Sequence, residues 1–164
     1  MAKGVRTQAM RALDAKKVAY TVHTFDDCIR DAQQVAQTLG LPPEQVFKTL
    51  VLLREDDLQG RPFLLMVPAN CEVDLRLVAR ELDIKGVRMA SHMQAEKLTG
   101  LKVGGISALA LLQKPFSVYL DRSAQAFEEI LVSGGQRGVD LQLRVADLLQ
   151  VTGAQWLHAT QSPA

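Results

Sequence analysis

Apolar positions along the chain follow two periods, and their alternation sets out the expected elements. Ala9, Ala12 and Leu13 recur at helical spacing after Val5, which predicts a first helix over 5–17, and 18–25 then reads as a strand. Asp31 with Gln34 has the form of a capping box. Val35 and Leu39 supply the apolar stripe of the helix that follows, and Gly40 ends it ahead of Pro42 and Pro43. A long apolar run, Val46-Phe47-Lys48-Thr49-Leu50-Val51-Leu52-Leu53, predicts a strand, and 63–67 predicts its hairpin partner across the polar loop 55–62. Asp74 opens a helix with Leu75, Val78, Ala79 and Leu82 on one face, a short strand is expected at 87–90, and Ser91 with Gln94 caps a helix that stops at Gly100. After an apolar stretch of undetermined type at 108–112, strands are predicted at 117–121, 129–133 and 139–143, then a last helix through Val145, Leu148 and Leu149 to Gly153. Helices and strands mix irregularly, which predicts an α+β domain on a mixed or antiparallel sheet instead of a doubly wound parallel one.

Composition narrows the picture. With 164 residues the expectation is one domain, 1–164, with a real core. Nineteen basic residues against eighteen acidic ones leave no overall field for non-specific nucleic-acid binding, so such a partner must be gripped locally. No apolar run approaches the roughly 18 residues of a membrane span, and the N-terminus has no apolar export signal, so no membrane partner and a cytoplasmic location are expected. Cys28 and Cys71 stand far apart without a C-x-x-C, which predicts two free thiols.

Lys48 is the first candidate for chemistry. An ammonium inside an apolar run is expensive unless it meets an anion or a site, although a strand with Lys48 on its wet face explains the pattern about as well. Two glycine-rich segments, Gly104-Gly105-Ile106-Ser107 and Ser133-Gly134-Gly135-Gln136-Arg137-Gly138, favour the site. Adjacent glycines let backbone N–H groups approach an oxyanion or carbonyl, but each pair read alone is more often a tight turn. Arg137 with Asp140 offers either an anion contact or an ordinary surface ion pair. No phosphate-binding loop, G-x-S-x-G elbow or His pair at zinc-helix spacing is present, so no metal, no cofactor and no serine triad are expected.

In this order, Phe47-Lys48-Thr49-Leu50, Val103-Gly104-Gly105-Ile106-Ser107 and Val132-Ser133-Gly134-Gly135-Gln136-Arg137-Gly138-Val139-Asp140 resemble the YbaK-type aminoacyl-tRNA deacylases, a family that includes the editing domain of bacterial prolyl-tRNA synthetases. The resemblance extends from the first helix to Leu149 and is greatest to the free-standing Cys-tRNA(Pro) deacylases. It implies a mixed α/β fold with a barrel-like central sheet and a trans-editing hydrolase that cleaves the aminoacyl ester of mischarged tRNA. Aminoacyl-tRNA(Pro) is the implied substrate and prolyl-tRNA synthetase a candidate partner. Lys48 matches the family's essential lysine and Gly104 and Gly105 its carbonyl-binding loop. Ser133 and Asp140 match its polar wall and Phe25 an aromatic near the pocket, while Thr49, Ile106, Ser107 and Gly134 complete the implied substrate site. The implied mechanism is substrate-assisted: the thiol of the esterified cysteine attacks its own carbonyl. Two departures stand out. The segment 26–30 is short and lacks the family's Asn-Phe pair, and Ala108 replaces a common proline. The first leaves alanine or another small residue as an alternative to cysteine, and a non-catalytic module that binds tRNA or a synthetase is the competing class.

Overall fold

The computed structural model describes residues 6–56 and 61–161, so Val5 and the middle of the loop expected at 55–62 lie outside the described residues. Among the described residues, eight strands and five α-helices follow in the order α1 (Gln8–Ala15), β1 (Thr21–Thr24), α2 (Ala32–Leu39), β2 (Phe47–Arg54), β3 (Phe63–Pro68), α3 (Leu75–Glu81), β4 (Val87–Met89), α4 (His92–Thr99), β5 (Ser117–Asp121), β6 (Glu129–Ser133), β7 (Val139–Arg144), α5 (Val145–Thr152) and β8 (Gln155–Leu157). The mixed α+β class is as expected.

The strands form two sheets. One is the antiparallel set β1-β7-β6; the other is β4-β2-β3-β5-β8, in which β3–β5 and β5–β8 are parallel. Among the described residues they meet at a single parallel bridge between Val46 and Leu131, and nothing joins β1 back to the far edge. The barrel-like sheet implied by the family resemblance is therefore corrected to two sheets that do not close. Alternation assigns the faces. Phe47, Val51, Leu64 and Met66 pack into the main core with Leu13 of α1 and Leu148 of α5, while Leu52, Phe63, Leu65 and Val67 pack with Val78 of α3 on the opposite side. A third cluster seats Val35 and Ala36 of α2 on Val46 and Leu131, where the sheets meet. This places the start of α2 over the junction of β2 with β6.

Several local signals are realised. Ser91 and Gln94 make both hydrogen bonds of the capping box, and the Asp74 carboxylate accepts from the N–H of Leu77 at 3.1 Å. Asp31 is the N-cap of α2, but its side chain makes no cap bond, so the capping box expected there does not form. The first strand begins at Thr21, later than expected, because Val18 is used to end α1: its N–H bonds to Leu13 O at 2.9 Å. The undetermined stretch at 108–112 holds a 3₁₀ turn, Leu109–Leu111, and Ala108 precedes it with φ −61°, a torsion that suits the proline it replaces. No helix among the described residues is long and apolar enough to cross a membrane.

Candidate functional site

Strand β2 is internal along only part of its length. Its pairing with β4 covers Leu52–Arg54, while its pairing with β3 runs from Phe47 to Leu52. The N–H of Ala90 donates to Val51 O on the β4 side, and in an antiparallel pair the main-chain groups of alternate residues point the same way. The N–H and C=O of Thr49 therefore face the gap between the end of β4 and the Val46–Leu131 bridge. A cavity of about 180 Å³ occupies this gap.

Lys48, Thr49, Gly104, Ile106, Ser133 and Asp140 all line that cavity, with Phe25 at its wall. Lys48 is half-buried, neither sealed in the core nor on an open wet face, and makes no hydrogen bond or ion pair among the described residues. The hydroxyl of Thr49 is buried without a partner. Ser133 and Asp140 are direct cross-strand partners on β6 and β7, so their side chains share one face of that sheet. Asp140 is 7% exposed, its carboxylate accepts no hydrogen bond among the described residues, and burial pushes its pKa up to about 7.

The two glycine segments do converge. A Cβ on Gly105 would lie 2.8 Å from the backbone of Gln136 and Arg137, so only glycine lets the loops pack at this distance. Arg137 reinforces the contact by donating from Nε to Val103 O at 2.8 Å, and its guanidinium lies 4.0 Å from the Glu96 carboxylate. Arg137 is thus a strut between loops, and no ion pair among the described residues joins it to Asp140.

Three expected site residues stand behind the cavity surface. Gly105 donates its N–H to Lys102 O at 2.8 Å; the Ser107 hydroxyl, 1% exposed, accepts from Leu109 N–H; and Gly134 closes the β6–β7 hairpin through its N–H to Val139 O at 2.8 Å. The N–H groups of Gly104 and Ile106, by contrast, donate to nothing among the described residues. Besides apolar wall residues, two charged lining residues escaped the sequence reading. Arg30 and Asp31 enter from the start of α2, where an exposed charged pair before a helix looks like ordinary surface.

Neither cysteine supplies a nucleophile here. Cys28 is exposed and Cys71 buried, and both are free thiols outside the cavity lining. Hydrogen bonding to Asp26 raises the first thiol's pKa and burial raises the second's, so both are held in the unreactive form. Asp26, Asp27 and Cys28 bring ligand-type atoms within 4.8 Å of one another on an exposed turn, a pattern common without an ion. A larger cleft of about 320 Å³, lined by Arg54, Phe63 and Tyr119 among others, lies toward the opposite end of β2 and gathers none of the candidate residues.

A family model described as an aminoacyl-tRNA editing domain matches residues 27–151. A protein of Enterococcus faecalis, EbsC, provisionally named a Cys-tRNA(Pro)/Cys-tRNA(Cys) deacylase, is 33% identical over 158 residues, 94% of this chain and 93% of its own. Among solved structures, one described as a trans-editing enzyme for prolyl-tRNA synthetase, again a provisional name, superposes with a TM-score of 0.80 at 25% identity, covering 97% of this chain and all of the other. A hypothetical protein superposes with a TM-score of 0.84 at 20% identity over 94% of this chain and 99% of its own, a likeness of fold.

Proposed function

Because the chain belongs to the aminoacyl-tRNA editing-domain family, we propose that it clears mischarged tRNA in trans by cleaving the aminoacyl ester, with Cys-tRNA(Pro) as its principal substrate. One observation carries this reading: a small cavity gathers Lys48, a carboxylate poised near neutrality and several unpaired polar groups, yet no cysteine lines it and, among the described residues, no histidine is hydrogen-bonded to its Ser133 or Thr49 hydroxyl to activate it. Such a site suits a substrate that brings its own nucleophile.

In the proposed reaction the cysteine thiol attacks the ester carbonyl. A bond forms from sulfur to the carbonyl carbon, the bond from that carbon to the ribose oxygen breaks, and the thiol proton ends on the released oxygen, giving free tRNA and a cyclic thioester. Asp140, with a pKa near the working pH, takes the proton from the thiol and returns it to the leaving oxygen. The N–H groups of Gly104 and Ile106 receive the oxyanion, in place of the Gly105 N–H already engaged by Lys102. Lys48 balances charge at the ester and the terminal ribose. Ser133, Thr49 and Phe25 shape the aminoacyl end of the cavity, and holding the thiol against the carbonyl supplies the rest of the rate. Work of this kind belongs in the cytoplasm beside the synthetases, and prolyl-tRNA synthetase is the partner we propose for delivery of the substrate.

A deacylation panel tests the reading. Purified protein is expected to clear Cys-tRNA(Pro) much faster than Ser-tRNA or Ala-tRNA. Equal rates on Ser-tRNA, whose hydroxyl is a far poorer nucleophile, would exclude the substrate's sulfur as the attacking atom.

A further inference from the structure

The cavity is smaller than its proposed substrate. Sites that enclose a drug-sized ligand measure roughly 300–1,000 Å³. About 180 Å³ admits an aminoacyl group and the edge of a ribose, so the remainder of the terminal nucleotide and its phosphate must lie outside, at the lip.

Arg30 stands at that lip. It lines the cavity, is exposed and forms no hydrogen bond or ion pair among the described residues. Its stem lies close against Gly104: a Cβ there, where φ is +94°, would lie 3.2 Å from Arg30 Cβ and 3.3 Å from Cγ, with Arg137 Cγ at 3.5 Å. Two arginine stems therefore flank the Gly104 backbone. One guanidinium is tied down by Val103 O and Glu96, and the other has its donors uncommitted. A planar guanidinium with free donors beside an ester site matches the bidentate geometry of a phosphate. A chain with a formal net charge of only +1 also needs such local contacts to hold RNA.

We propose that Arg30 anchors a phosphodiester of the tRNA 3′ end at the lip of the cavity, setting how far the esterified residue enters. The role rests on the deacylase reading and extends it to residue 30, in the segment where the sequence departs from its family. The carboxylate of Asp31, also in the lining, opposes the attraction, so its removal should strengthen the contact.

Two substrates separate the possibilities: Cys-tRNA(Pro), and 3′-O-cysteinyl-adenosine, which keeps the ester, ribose and base but has no phosphate. Arg30→Gln retains the stem that packs on Gly104 and removes the charge. It is expected to lower kcat/KM on the tRNA roughly tenfold, mainly through KM, as loss of one charged hydrogen-bonding contact does. It should also reduce the slope of log(kcat/KM) against log salt by about 0.7 while leaving the adenosine ester within about twofold of wild type. Arg30→Lys should recover part of the loss, and Asp31→Asn should raise kcat/KM on the tRNA. Equal losses on both substrates, no loss on either, or an unchanged salt slope would overturn the anchor. If wild-type protein cleaves neither ester, the deacylase reading itself falls; if it cleaves both and Arg30→Gln does not distinguish them, only the anchor falls.

Discussion

Two aspartates are buried among the described residues, and they are treated in opposite ways. Asp121, at the end of β5, is 1% exposed and fully engaged: Oδ1 accepts from Ala159 N–H at 2.9 Å, and Oδ2 accepts from Ser123 N–H and the Thr160 hydroxyl, both at 3.2 Å. Asp140, in β7, is 7% exposed and accepts nothing among the described residues. The first carboxylate joins the C-terminal segment to the sheet, as a buried polar group must if it is to stabilise a fold. The second is left without compensation in a cavity that also holds a lysine and a threonine hydroxyl with no hydrogen-bond partner among the described residues. An uncompensated buried carboxylate lowers stability. In the proposed function, the proton transfer assigned to it in the cavity offsets this loss.

The sharpest way to break the comparison is to neutralise each carboxylate in turn. Asp140→Asn is expected to lower single-turnover deacylation by at least about a hundredfold, the scale of a lost proton carrier, while Asp121→Asn, at a residue outside the cavity lining, stays within a few-fold. Similar losses in both would erase the distinction.

The pH dependence of stability gives the next largest effect. Asp140 keeps its proton to about pH 7 in the folded state and to about pH 4 when unfolded. Between these values the folded state binds the extra proton. Its contribution is thus greatest below pH 4, declines as pH rises to 7, and is flat beyond, a difference on the order of 4 kcal/mol over the window. Denaturant titrations should show this decline in the wild type and lack it in Asp140→Asn, which should also be the more stable of the two at pH 8.

Asp121→Ala should have the opposite consequence. It strands the buried Ala159 N–H and Thr160 hydroxyl and removes the acceptor of the more exposed Ser123 N–H, for a loss of about 3 kcal/mol in urea unfolding. Smallest of all, Thr49→Val removes a hydroxyl with no partner, so stability should hold or rise by up to about 1 kcal/mol, whereas kcat/KM on Cys-tRNA(Pro) should fall several-fold if that hydroxyl meets the substrate.

The sheet strands were legible because each is a short apolar run bounded by turn residues, as at 63–67 and 129–133. β8 was not, since Gln155-Trp156-Leu157 is three residues long and only Leu157 is buried. The barrel was an inference from kinship, and the unpaired edge of β1 removes it. Within the site, Lys48 and the glycine pairs could be read as exceptions to their surroundings: a cation in an apolar run, and flexible backbone repeated twice. Arg30 and Asp31 obey the rules of an exposed helix start, so nothing local marks them. They reach the cavity because Val35 and Ala36 seat α2 across the junction of the two sheets, a long-range fact with no local signature. Likewise, the split between Gly104 at the cavity and Gly105 against the other loop depends on a contact between segments about thirty residues apart.

Lys48→Ala tests the central claim most directly, assayed by single-turnover deacylation of Cys-tRNA(Pro) alongside a thermal melt of the same preparation. The expected result is a rate lower by orders of magnitude with the melt essentially unchanged, because a half-buried lysine with no hydrogen bond or ion pair among the described residues contributes little stability. Full activity in a folded Lys48→Ala protein would contradict the assignment of this cavity as the ester-cleaving site.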